Sequence, residues 1–163
     1  MRKLLVLAAL TLAAPVSAQK KPAGATDVAE ALAACQAITT PTWLELKDLR
    51  EAGWEYPVKR GNGRQSQVVK GLYTKKGNDA LIVIGKEELD KKSCVVNALL
   101  TDTASYSSLL QELSGLVGMP NRQEGYTYFW TIADKEIRVD PAGDANRPIA
   151  RFEVTAIPQE SAE

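Results

Sequence analysis

The chain has 163 residues, 45% of them hydrophobic and 25% charged, with 20 basic and 20 acidic side chains and no histidine. That balance lacks the basic stripe of a nucleic-acid binder. Without histidine there is no Ser-His-Asp triad, no Cys-His pair and no zinc site built on imidazole.

The N-terminus predicts export. Arg2 and Lys3 precede an apolar run from Leu4 to Ala14, and Val16-Ser17-Ala18 supplies the small residues of a cleavage site. About 20 apolar residues are needed to span a bilayer, and this run of roughly 11 is too short, so residues 1–18 match a cleaved secretory signal. Cleavage removes Arg2 and Lys3 and no acid, leaving a mildly acidic chain for the periplasm or the extracellular medium. No later apolar run is long enough to cross a membrane. Residues 26–157 suit one domain of ordinary size. Two cysteines in an exported chain predict one disulfide, Cys35 to Cys94, against the alternative of two buried thiols.

Residues 19–25 are polar and broken by Pro22 and Gly24, which predicts a flexible leader. A first helix is expected from Thr26 or Asp27 to Thr39, with Val28, Leu32, Cys35 and Ile38 on one face and Asp27 and Glu30 as a capping box. Pro41 ends it. A second helix is expected from Thr42 to Gly53, with Thr42 and Glu45 as its box and Trp43, Leu46 and Leu49 on its apolar side. Trp54 opens an extended piece that Pro57 confines to an edge, and Gly61-Asn62-Gly63 signals a turn. Strands are expected at 67–75 and 80–85 around a turn at 76–79, then a charged connection at 86–92, then a strand at 93–101. Their apolar residues occur at both parities, which predicts burial on both faces.

The next stretch is strongly patterned. Tyr106, Leu109, Leu110, Leu113, Leu116 and Val117 follow the spacing of one helical face. Asp102, Thr103 or Ser105 caps its start, and Gly118 and Pro120 end it. Strands at 125–133, 136–140 and 149–156 then alternate as a half-exposed antiparallel meander, with turns at 133–135 and 141–148. Tyr126, Tyr128, Trp130, Ile137, Val139, Phe152 and Val154 are assigned to its core face. Thr127, Phe129, Glu136, Arg138, Arg151 and Glu153 fall on the other face. The tail from residue 158 is polar and expected to be disordered. Helix plus three strands occurs twice along the chain, which outlines a duplication at the level of topology. The fold class is α+β: two N-terminal helices on a mainly antiparallel sheet, with one helix inserted between two strand sets.

Few constellations carry chemistry. Asp140, Asp144 and Asn146 offer oxygens to a calcium ion, but their spacing departs from the twelve-residue calcium loop and plain turn chemistry explains them. Glu87, Glu88, Asp134 and Glu136 are the carboxylates open to a hydrolase, and they sit among lysines as a solvated surface does. No cofactor is implied. The feature that points furthest is Phe129, a large aromatic among threonines and charges. It is a candidate anchor for a protein partner with Arg138, Arg151, Glu136 and Glu153 as its rim. The alternative is a small-ligand or cell-wall-fragment binder, with a cavity lined by Trp43, Trp54 or Tyr73.

The run L-S-G-L-V-G-M-P, preceded by the amphipathic helix and followed by G-Y-T-Y-F-W-T and two strands, resembles small exported bacterial modules. These are the repeats of β-lactamase inhibitor protein and the outer-membrane assembly lipoproteins of the SmpA/OmlA type. The likeness covers residues 105–156, and this chain has neither a lipidation cysteine at the cleavage point nor the inhibitor's disulfide pattern. The resemblance implies a non-enzymatic module that works by contact with another envelope or extracellular protein, as an inhibitor or an assembly factor.

Overall fold

Antiparallel pairing joins seven strands into one sheet, with the order β3-β4-β5-β9-β8-β7-β6. The computed structural model describes residues 21–60, 66–68 and 71–158. The expected signal at 1–18, the turn at 61–63 and the last five residues of the tail lie outside the described residues. The strands are β3 (Leu72–Lys75), β4 (Asn78–Val83), β5 (Cys94–Leu99), β6 (Arg122–Glu124), β7 (Thr127–Ile132), β8 (Lys135–Asp144) and β9 (Arg147–Ala156). A separate two-stranded ribbon pairs β1 (Val58–Arg60) with β2 (Ser66–Val68). The helices are α1 (Ala25–Ile38), α2 (Leu46–Glu51), α3 (Lys86–Lys91) and α4 (Ser105–Val117).

Register explains the core. Ile82, Val96, Phe152, Val139 and Tyr128 stand side by side across five strands, and Cys94, Val154, Ile137 and Trp130 form the next row. Successive strand residues point to opposite faces, so these rows share one face. Helices α1 and α4 pack against each other, and α1 lies against β4, β5 and β9. Val28, Leu32, Cys35 and Ile38 of α1 and Tyr106, Leu109, Leu110 and Leu113 of α4 are buried there. Cys35 and Cys94 form the disulfide, with a Cα–Cα distance of 5.5 Å, and so tie α1 to the middle of the sheet. Burying a side chain such as Phe152, which is fully enclosed, contributes about 3 kcal/mol.

Several local expectations are corrected by competing bonds. Residues 21–25 are not a loose leader: the Ala23 N–H donates to the Leu99 carbonyl at 3.0 Å, and Ala23 and Ala25 are buried. Asp27 accepts from the Gly24 N–H, one turn earlier than the predicted box, while Glu30 reaches Lys75 instead. The second helix starts at Leu46 because the Thr40 hydroxyl accepts from the Trp43 N–H and donates to the Trp43 carbonyl, which holds 40–43 as a turn. Trp43 is therefore left exposed. The strand expected over 67–75 is two strands in different sheets, parted at Gly71, whose φ is +79°.

The connection at 86–92 is a helix. Gly85 donates to Glu88 at its start, Lys86–Asp90 and Glu87–Lys91 are paired one turn apart, and Lys92 closes it with φ 57°. Five charged residues around a single exposed leucine, Leu89, make no apolar stripe, so periodicity passes over this helix. Leu116 is exposed and belongs to neither the core nor the face of α4. Tyr126 is not a core residue but the tip of a β6–β7 hairpin, 76% exposed.

Residues 141–148 are not a simple turn. β8 and β9 continue as a paired arm to Asp144 and Arg147. Pro141 is tolerated because the β7–β8 pairing stops at Val139, so its missing N–H faces no strand on that side. Gly143, at φ +77°, brings its α-carbon so near the Arg147 carbonyl that a β-carbon there would lie 2.2 Å from the oxygen. The middle strands are covered on both faces only in part: Val95 of β5 is buried on the face away from α1, whereas Leu81 and Val83 of β4 remain half-exposed there.

Candidate functional site

On the helix side, cover runs out at β7. α4 ends at Gly118, whose carbonyl accepts from the Trp130 indole N–H at 2.8 Å, and this bond fixes the helix end to β7. Tyr106 from α4 and Tyr128 and Trp130 from β7 form a ladder of rings, with centroids 6.3 Å apart at each step. The Tyr106 hydroxyl donates to the Tyr126 carbonyl at 2.8 Å. Burial, with the charge of Asp140 and then Tyr128, raises its pKa, so it stays a donor at every physiological pH. Beyond the ladder lies a groove of two adjoining hollows, about 330 Å³ and 410 Å³, which share Ser107. Leu110, Tyr128 and Trp130 floor the first, with Met119 and Pro120 at its mouth; Tyr106 and Tyr126 line the second.

No aspartate, glutamate, lysine or arginine lines either hollow. Met119 and Tyr126, 77% and 76% exposed, are the two most exposed large hydrophobic residues described, and both border this groove. The polar groups are hydroxyls and amides. Gln111 and Ser107 offer theirs from α4, and the Tyr128 hydroxyl is held at 3.0 Å by the amide of Gln123. Such a surface binds by apolar contact and neutral hydrogen bonds; it places no acid or base beside a bound group.

The opposite face holds the residues that the sequence singled out. Phe129 lies beside Arg138, Arg138 beside Glu153, and Arg151 beside Asp140, while Glu136 is opposite Thr131. The face assignment is thus met, but Phe129 is not a presented anchor. Its exposure is 9%, and the Arg122 guanidinium sits 3.6 Å above its ring. The charges are matched within their own strands, Arg138 with Asp140 at 2.8 Å and Arg151 with Glu153 at 3.0 Å. The hydrogen bond that Arg138 donates to Asp140, with the charge of that carboxylate, raises the Arg138 pKa above its ordinary value. Glu87 and Lys91 of α3 lie near enough to Arg151 and Glu153 to interact with their charges.

The remaining candidates are dispersed. Asp144 accepts from the N–H groups of Asn146 and Arg147 to close the arm, and Asp140 also accepts from Thr127, so their oxygens serve structure. Glu87 is paired with Lys91 on α3, and Asp134 with Lys135 in the β7–β8 turn. Among the described residues no group of three His, Cys, Asp or Glu side chains could hold a metal ion. Trp54 and Tyr73 are fully buried and Trp43 is exposed, so these three do not line a common cavity. Sequence reasoning missed the groove because alternation assigns Tyr126 to the core, whereas Gly125 at φ +61° turns the chain there. No protein-family model matches the chain, no curated protein matches it, and no solved structure matches it.

Proposed function

We propose that this protein is a non-enzymatic binding module of the periplasm or extracellular space that receives an uncharged, apolar segment of a protein partner in the groove beside α4. One observation carries this reading: Met119 and Tyr126, the two most exposed large hydrophobic residues described, border a groove without charged lining, in a chain one quarter of whose residues are charged. Aromatic residues dominate contact energies where they line desolvated pockets. The disulfide is consistent with an oxidising compartment, and no helix among the described residues is long and apolar enough to cross a membrane. The resemblance of residues 105–156 to envelope interaction modules implies the same kind of module.

A photocrosslinking amino acid at Gln111, inside the groove, tests the site against one at Glu87 on α3. In the native envelope, a discrete protein adduct from position 111 and none from position 87 is the expected result. Adducts from position 87 alone would move the contact to the polar face and end this reading. The hollow of about 330 Å³ also lies at the lower end of small-ligand sites, which span about 300–1,000 Å³. A small apolar molecule or wall fragment that raises the melting temperature of the wild type, but not of Leu110→Glu, would favour that second reading.

A further inference from the structure

The groove beside α4 is longer than its first two hollows. A third hollow, about 280 Å³, shares Thr103, Tyr106 and Pro141 with the second and continues over Ala142 and Pro148 onto the β8–β9 arm. The channel thus runs from Met119 past Trp130, Tyr128 and Tyr106 to Pro148. Its hydrogen-bonding groups are turned one way. Gln123 donates amide N–H groups to the Gly125 carbonyl at 2.9 Å and to the Tyr128 hydroxyl at 3.0 Å. A carbonyl can only accept, so the nitrogen end of the amide is the end that meets the tyrosine. The Tyr128 oxygen therefore accepts, and its own hydrogen has no acceptor among the described residues. Ser107 and Gln111 line the same hollow, and neither side chain is spent on a bond within the described chain. The Trp130 indole and the Tyr106 hydroxyl are spent, on the Gly118 and Tyr126 carbonyls.

Taking the groove as the docking site proposed above, we infer that the segment it receives is proline-rich and lies along it as a polyproline II helix. Such a helix makes no internal hydrogen bonds and presents its carbonyls, while proline has no N–H that would need an acceptor. Charge complementarity favours it: an uncharged row of acceptors meets an uncharged wall of donors and aromatic faces. Grooves lined by aromatic side chains are a recurrent seat for this conformation. The repeat fits as well. The residues lining the two larger hollows from α4 and its lead-in centre five or six positions apart, roughly 8 Å along the helix. One turn of polyproline II advances about 9 Å.

Other occupants match these groups less well. An amphipathic helix bonds its own carbonyls and would leave Tyr128, Ser107 and Gln111 without acceptors. A strand added at the nearby sheet edge is opposed by β6 itself, which is three residues long, follows Pro120 and carries Arg122 and Glu124. A sugar chain brings many hydroxyls, each both donor and acceptor, against one free amide and two free hydroxyls.

Nuclear magnetic resonance of the full chain, purified with its disulfide intact, tests this with an acetylated and amidated peptide of nothing but prolines as the probe. The indole N–H resonance of Trp130 is expected to shift saturably with peptide, and that of Trp43, outside the groove, to stay in place. Tyr128→Phe keeps the ring and removes the donor, and Gln111→Leu removes the amide at similar size. Each is expected to raise the dissociation constant about five- to tenfold, and far-ultraviolet circular dichroism checks that both are folded. No shift at Trp130 up to millimolar peptide overturns the proposal, as does an affinity that both substitutions leave unchanged. So does an equal shift from a glycine-serine peptide of the same length, or a stronger one from an N-acetylglucosamine oligomer. If the proline peptide fails while position 111 still yields a protein adduct, the groove remains a docking site and the proline chemistry alone falls.

Discussion

Arg122 closes over Phe129, and this contact decides which side of the sheet presents apolar surface. A guanidinium over an aromatic ring is worth about 0.5–1 kcal/mol at an exposed site. Arg122→Ala is expected to cost about that much in urea unfolding and to expose the ring, which hydrophobic-dye binding would detect. The parity of Phe129 is legible from alternation, because Tyr128 and Trp130 beside it point inward. Its cover is not legible, because Arg122 belongs to a three-residue strand seven positions earlier that no alternation marks. Glu30 shows a second residue-scale effect. The hydrogen bond from Lys75 and then that from Asn78 lower its pKa below the ordinary 4.5. A group whose pKa is depressed on folding contributes stability above its unfolded value and loses it as pH falls through the folded one. The melting temperature of Glu30→Gln is therefore expected to fall less than that of wild type between neutral pH and pH below about 4; equal slopes would show that the pair carries nothing. The effect is modest, because Glu30 is half exposed.

At the scale of elements, helices α1 and α4 were legible because each carries an apolar stripe at helical spacing. α3 was not, since its support comes from ion pairs and a capping carboxylate rather than from burial. The long β8–β9 arm was hidden by Pro141 and Gly143, which ordinarily signal a turn and here sit inside a strand. Gly143→Ala is expected to destabilise the arm by more than about 1 kcal/mol, since the substituent is refused by both the backbone angle and the Arg147 carbonyl. Loss of the Gly143–Pro148 end of the ladder in hydrogen exchange would confirm that the damage is local. The disulfide acts between elements, joining residues 59 apart in sequence. Replacing both cysteines by serine is expected to lower unfolding free energy by about 4 kcal/mol in the chain-entropy view, read from denaturant curves. An unchanged midpoint would mean that core packing alone fixes α1 on β5.

For the whole molecule, the class and the side of the sheet that carries the helices followed from the sequence, while the groove did not. A groove is made of what is missing beside an element, here the absence of a helix over β6 and β7, and no residue pattern records it. Binding is expected to respond accordingly: Leu110→Glu should abolish adducts from position 111, whereas Arg151→Ala should leave them. The position of β9 has a further consequence. The last strand described, β9, lies at the centre of the sheet, between β5 and β8. Until it is in place, β5 and β8 are separate edges and the sheet is two halves without a seam. A polypeptide emerging N-terminus first therefore cannot complete this sheet until β9 has been made. Helix α1 and its cysteine must wait beside a half-built sheet. Completion comes in one late step, with pairings far apart in sequence and the slowness that such topology imposes. A chain cut short by even its final ten residues of strand would leave two bare inner edges in place of a slightly smaller domain.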